Sequence, residues 1–395
     1  MAELRRVLGV RGATVVGLGA MLGTGVFAAW TPAFALAGSA LLAALAIAAV
    51  VAALNATSTA SLARVLPESG GAYAYGRAYL SRSAGVVAGY AFVLGKSASA
   101  GAAALTIGAY AWPGYERLVG IVAVAVALVL DLRGIVKSVR VTAVLVAFVL
   151  VVLAALVVST AVSEASSTPA AAALPAPSGA GLVAAAGILF VAFAGYARVT
   201  VLGEEVRNPA RTIPRAMIAS FLIIIVVYAV LAAVVLRAVS SGLVLSVAPL
   251  ESIAGYVGSD ALEVLVRIGA VIAAGAVLLS LIAGIGRTLF AMGRGGDAPR
   301  ALDQVSSGAG VPARAEISAA VLAALVVIVG GIGFALALSA ALILIYYGVA
   351  HLAVLARVRR GDFPRLLGVS AGLGLVGCLV VVAGLLLSTG ALLEV

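Results

Sequence analysis

The chain has 395 residues, of which 64% are hydrophobic and 10% charged, with a net charge of +10. Soluble domains carry about 25% charged residues, so this composition excludes a protein surrounded by water and describes an integral membrane protein. One cysteine and one histidine exclude a disulfide framework, zinc or haem spacing and a Ser-His-Asp constellation; the basic excess reads as membrane topology, not nucleic-acid binding.

Crossing about 30 Å of hydrocarbon takes about 20 apolar residues in a helix. Eleven such windows are predicted, at about 13–37, 39–62, 84–110, 117–136, 139–162, 180–203, 214–238, 260–290, 313–332, 334–356 and 364–389. They are continuous Ala/Leu/Val runs without period-2 alternation, which argues for helices and against a barrel. The first, with Arg5 and Arg6 before it and AFALAG near its end, imitates a signal peptide. It is too long for one and a second span follows at once, so it reads as a retained helix.

That first window contains GLGAMLGTGVF (Gly17–Phe27), with four glycines and a threonine. Each glycine weakens a helix by about 0.5–1 kcal/mol relative to alanine. Close packing through small residues is one use of such a stretch; an interruption that lines a polar cavity is the other. In the third window, VLGKSASAG places Lys96 near the bilayer centre, at a cost of about 2.5–3.5 kcal/mol on insertion scales. Either Lys96 carries a proton or it is satisfied structurally by helix carbonyls and the neighbouring Ser97 and Ser99.

The Pro/Ala/Ser-rich stretch Ser163–Gly181 reads as a flexible connector dividing five spans from the next five. The sixth window then carries its own interruption in LFVAFAGYARV, at Gly195. Matched breaks in corresponding helices of two inverted halves are the sequence pointer to a midplane binding site. Half-helix N-termini favour a carboxylate there and freed carbonyls an ammonium; a zwitterion offers both. Arg198 follows this break, six and seven residues before Glu204 and Glu205; it snorkels toward the surface or pairs with one of them, and it does not usefully deprotonate. The loop with PLESIAGYVG reads as a short interfacial helix. Most of the 25 basic residues fall in alternate loops, leaving Arg117, Arg237 and Arg267 on the other side. The positive-inside rule puts the N-terminus in the cytoplasm and, with eleven spans, the C-terminus outside.

Four stretches together resemble the amino acid–polyamine–organocation (APC) superfamily of permeases: GAMLGTGVF (Gly19–Phe27), PESGGAYAYGRAYL (Pro67–Leu80), FAGYARVTVLGEEVRNPARTIPRAM (Phe193–Met217) and LLSLIAGIGRTLFAMGRGGDAPRAL (Leu278–Leu302). The resemblance implies an all-α, LeuT-like 5+5 inverted repeat with broken first and sixth helices in a single transporter domain. The repeats are expected at about 13–162 and 180–356, with an extra C-terminal helix at about 364–389. It also implies a substrate site. Thr24 and Gly25 would meet the substrate carboxylate, with Gly23 allowing close approach, and Met21 and Ala194 would offer carbonyls to the ammonium beside Gly195. Phe193, Phe190 and Tyr196 are candidate gating aromatics, and Lys96 and Arg198 candidates for coupling or gating.

Ala197 stands where relatives that take cations often carry an acid, and the acidic residues lie in loops or near span ends, which argues against cationic substrates. Gly286 and Arg287 stand where sodium-coupled relatives need hydroxyls, and Val149 where some proton-coupled relatives carry a lysine. The expectation is a non-enzymatic secondary transporter in the cytoplasmic membrane. It would carry a small neutral amino acid, with protons or exchange rather than sodium as the driving principle, and would need no cofactor or metal. An exchanger for an acidic amino acid or organic anion is the alternative within the class, and a membrane sensor or membrane-embedded enzyme the alternative outside it.

Overall fold

The computed structural model describes residues 8–66, 70–134, 139–163, 174–200, 206–305, 310–388 and 390. Arg5, Arg6, Pro67 to Ser69, Lys137, most of the Ser163–Gly181 connector, and Glu204 and Glu205 lie outside the described residues. The described residues are overwhelmingly helical, with one isolated β-bridge.

The first predicted span is three helical pieces, α1 (Val10–Met21), α2 (Thr24–Ala28) and α3 (Trp30–Ala37). Gly38, at φ +49°, then turns the chain into α4 (Leu41–Val65); a side chain is strained at that φ. A short α5 (Ala72–Tyr79) precedes the long α6 (Arg82–Ala111), followed by α7 (Glu116–Leu132) and α8 (Val139–Val162). The second half runs through α9 (Gly179–Phe193), α10 (Ala197–Thr200), α11 (Pro209–Ser240), α12 (Pro249–Tyr256), α13 (Asp260–Arg294), α14 (Ala313–Val329), α15 (Ile332–Arg359) and α16 (Arg365–Leu387). α12 is the short helix expected at PLESIAGYVG.

Helix starts follow local chemistry. Ser81, Ser178 and Ser259 cap α6, α9 and α13, each hydroxyl accepting an N–H three residues on. This satisfies a donor that the first turn would leave unpaired. Pro209 opens α11, where its missing N–H costs nothing.

Among the described residues, eight helical runs are long and apolar enough to cross a membrane. The difference from eleven has identifiable causes. α7 and α14 have only 17 residues each, the first span is cut by its break, and Trp30–Val65 forms one run across the Gly38 turn. On α8, Val144, Val151 and Val158 recur every seven residues and are exposed, a stripe turned to lipid. α6 is the most enclosed helix, in contact with α5, α7, α13, α14 and α15.

The two ends of the bundle are closed differently. At the arginine-rich end, Asp297 after α13 has a side chain that is 1% exposed and pairs with Arg77 of α5 and, at 2.8 Å, with Arg82 of α6. Tyr73 adds a hydrogen bond to the same carboxylate at 2.9 Å. Burial alone would push the Asp297 carboxyl up, but hydrogen bonds from Arg82 and Tyr73 and the charges of Arg77 and Arg82 hold it below the ordinary value. Leu8, before α1, forms the β-bridge with Val206, beyond α10, and Arg207 N–H donates to Leu8 O at 2.8 Å. At the opposite end, the Tyr110 hydroxyl closes α6 onto α2 and α12, donating to Phe27 O at 2.7 Å and accepting from Leu250 N–H at 3.3 Å.

Candidate functional site

The first break is a true interruption. Leu22 N–H closes the last turn of α1 on Leu18 O, and α2 restarts at Thr24 and is closed at its far end by Ala29 N–H on Gly25 O. Between them Gly23 belongs to neither helix, and Thr24 and Gly25, as the first residues of α2, have N–H groups with no acceptor inside that helix. The Thr24 hydroxyl is buried and has no hydrogen-bond partner. Such groups are costly unless something else satisfies them.

The sixth helix is interrupted more subtly. α9 tightens into one 3-10 turn at Ala194–Tyr196 and then resumes as α10; the Ala194 N–H closes back on Val191 O. The chain is retuned there into a 3-10 turn, not unwound, which differs from the open backbone expected at both breaks.

The two interruptions touch. A Cβ added at Gly195 would fall on the Ala20 carbonyl and within 2.7 Å of Met21 Cγ, and one at Gly25 would fall 2.9 Å from Ala192 Cα. Both glycines are therefore required by close backbone approach. Gly23 is held against Val277 of α13. Met21, Thr24, Gly25, Phe193, Ala194 and Tyr196 are buried together at this junction, with Phe190 one turn away on α9.

Aromatic rings wall it on two sides. Phe193 lies 5.8 Å from Tyr228 and 5.3 Å from Phe221 of α11, and Trp30 lies 5.5 Å from Tyr228. On the other flank Tyr347 of α15 stacks on Tyr196 at 5.8 Å and meets Phe190 edge-on at 6.1 Å. Sequence reading missed Trp30, Tyr228 and Tyr347. The Tyr228 hydroxyl stands 3.5 Å from Met21 O and 3.0 Å from where a Gly25 Cβ would be, beside the carbonyl assigned to a substrate ammonium. A lone tyrosine in the apolar run VVYAV was the available signal.

The remaining candidates separate. Lys96 is half-buried midway along α6, and no described residue hydrogen-bonds or ion-pairs with it. Arg198 is exposed on α10, and its proposed partners Glu204 and Glu205 lie outside the described residues. Gly286 of α13 faces the Glu316 side chain of α14, away from the break; Val277 is the α13 residue that touches Gly23. Val149 is buried on α8. Glu316, in the first turn of α14, is buried, with Arg287 as the charge that acts on it.

A second polar cluster was illegible in sequence. His351 of α15 is fully buried, with Nδ1 2.8 Å from Ser58 Oγ and Nε2 2.7 Å from Asn55 Oδ1, both on α4. Cys378 of α16 donates to the same Asn55 oxygen at 3.3 Å. Among the described residues no three His, Cys, Asp or Glu side chains gather as a metal site would require.

The architecture matches a solved Na+-coupled sialic acid symporter in a substrate-bound outward-open state, with a TM-score of 0.60 over 98% of this chain and 90% of that one. At 12% identity this likeness establishes a LeuT-like fold and nothing finer. Uncharacterized transporters of Mycobacterium bovis and Mycobacterium tuberculosis are 43% identical over 392 residues, 98% of this chain and 88% of theirs. The family model described as amino acid permease matches residues 12–391. The chain is a multi-pass membrane transporter and belongs to the amino acid permease family of the APC superfamily.

Proposed function

We propose that the protein is a secondary transporter that carries a compound with an amino-acid headgroup by alternating access, through a site at the junction of the two breaks. The observation that supports this most is the first break, where the helix restarts at Thr24 with its first amides turned toward the break and the buried Thr24 hydroxyl has no hydrogen-bond partner among the described residues. A carboxylate would satisfy the amides and hydroxyl, and the Met21 and Ala194 carbonyls would face an ammonium. Tyr228 would trade its long contact with Met21 O for the substrate. Phe190, Phe193 and Tyr196 would then close the far side.

On this reading the two inverted repeats are 13–162 and 180–356, the helix at 364–389 is an addition, and the arginine-rich end faces the cytoplasm. Two side-chain classes fit the headgroup, small neutral and acidic. A cationic one lacks any acid at a span centre among the described residues. Sodium is disfavoured because the α13 residue against Gly23 is a valine, which offers no oxygen to a hard cation. Protons or exchange remain as the driving principle, with Lys96 the candidate proton carrier and Arg198 a gating candidate.

The test is uptake of labelled amino acids into proteoliposomes under imposed pH or sodium gradients. Accumulation driven by a pH gradient or by internal substrate supports the proposal. Strict sodium dependence refutes the coupling assignment, and binding without uptake refutes transport and favours a sensor.

A further inference from the structure

Lys96 is set apart by what surrounds it. Val87, Tyr90 and Leu94 are the exposed residues of this part of α6. At 100° per residue they lie on the side of the helix opposite Lys96, so its stem starts into the bundle and away from lipid. One turn before it, Phe92 meets Tyr346 of α15 at 5.2 Å; one turn after it, Ser99 Oγ bonds Ser339 Oγ at 2.6 Å. Gly95 beside it abuts Leu342 and Ile343. Lys96 is thus level with the middle of α15, one turn from Tyr347, the residue that stacks on Tyr196 at the sixth-helix interruption. Seven residues earlier on nearly the same face, Gly89 abuts Met292 of α13. The Lys96 stem therefore starts toward the wedge between α13 and α15, the helices that carry Val277 against Gly23 and Tyr347 against Tyr196.

No described carboxylate shares that wedge. The described acids are Glu116, Asp131, Glu251, Asp260, Glu263, Asp297, Asp303, Glu316 and Asp362, all in loops or in the terminal turns of helices. An ammonium held inside a helix bundle needs an anion within hydrogen-bond reach, and no described residue supplies one there.

We propose that Lys96 is an anion subsite of the transport site, and that the substrate is an amino acid whose side chain ends in a carboxylate. This rests on the headgroup reading above and names the side chain that reading left open. The first break holds the α-carboxylate and ammonium, and Lys96 receives the distal carboxylate, so ligand and lysine neutralise each other inside the membrane. A neutral side chain would leave the ammonium uncompensated in the loaded carrier.

The discriminating probes are L-aspartate and L-asparagine, which share a shape and differ in charge, with succinate as a dicarboxylate lacking the amino group. In proteoliposomes the wild-type protein is expected to take up aspartate with a kcat/KM at least about tenfold above asparagine, equivalent to about 1.4 kcal/mol. Lys96→Gln should erase that preference by losing aspartate, and Lys96→Arg should keep it. Equal or better uptake of asparagine or alanine by the wild type overturns the subsite while leaving the headgroup reading intact, and needs no variant to fold. A Lys96→Gln protein that still prefers aspartate overturns it as well. Displacement by succinate, with no amino acid competing, keeps the anion subsite and overturns the headgroup reading instead.

Discussion

Substituting Gly195 by alanine tests whether the two breaks must touch. The new Cβ would fall on the Ala20 carbonyl and 2.7 Å from Met21 Cγ, whereas carbon atoms settle at about 3.5–4.0 Å. One element must therefore yield by about 1 Å. Met21 could swing its side chain, but a backbone carbonyl at the end of α1 moves only with the helix. Overpacking of this kind costs about 1–3 kcal/mol, against the roughly 0.5–1 kcal/mol that alanine gains over glycine in a helix. The expected result is a lower unfolding temperature in detergent and a loss of uptake, because the displaced α1 carries the Met21 carbonyl with it. Gly275→Ala and Gly372→Ala are matched controls, since a Cβ at either meets nothing within 4 Å; both should match the wild type or unfold slightly higher. A Gly195→Ala protein as stable and as active as the controls would refute direct apposition of the two breaks.

Tyr110→Phe removes the hydroxyl that joins Phe27 to Leu250 and should destabilise by about 1–3 kcal/mol; a cysteine placed in α12 should also react faster with a water-soluble thiol reagent. Asp297→Asn should lower stability near neutral pH and flatten its acid dependence. Because the folded-state pKa of Asp297 is lowered, its contribution is complete above the ordinary value of 3.8 and is lost as the pH falls below it, which thermal melts across an acid series will show. His351→Leu leaves Asn55 and Ser58 of α4 without their ring partner and should cost about 1–3 kcal/mol per stranded group. His351→Gln, which can restore one bond, should unfold between it and the wild type in the same melts.

Much of the fold was legible because its signals are local. The apolar windows and the GTG interruption are both read within a few residues. Two helices fell one turn short of a confident span because a 17-residue helix crosses hydrocarbon only with help from its neighbours, and neighbours are not written in a window. The sixth-helix glycine was found, yet its 3-10 geometry depends on contact with Ala20 and Met21, which sequence spacing does not reveal. Trp30, Tyr228 and Tyr347 looked like ordinary apolar filling until their helices converged. The His351 cluster was least legible of all: its hydrogen bonds join residues 293 to 323 positions apart, and each alone is an unremarkable polar residue in a helix.

The strand-like contact between Leu8 and Val206 has a mechanical consequence. α1 is pressed through Gly17 against Val199 of α10 and Ser220 of α11, and the bridge ties the same pieces again where they leave the bundle. Any movement that swings α1 outward by itself must first break this second tie. The least costly motion carries α1, α10 and α11 as one lever, pivoting where Gly23 and the Ala194–Tyr196 turn already spare the backbone from bending. Cargo bound as proposed between those two points would sit on the pivot, where displacement is smallest while either mouth opens.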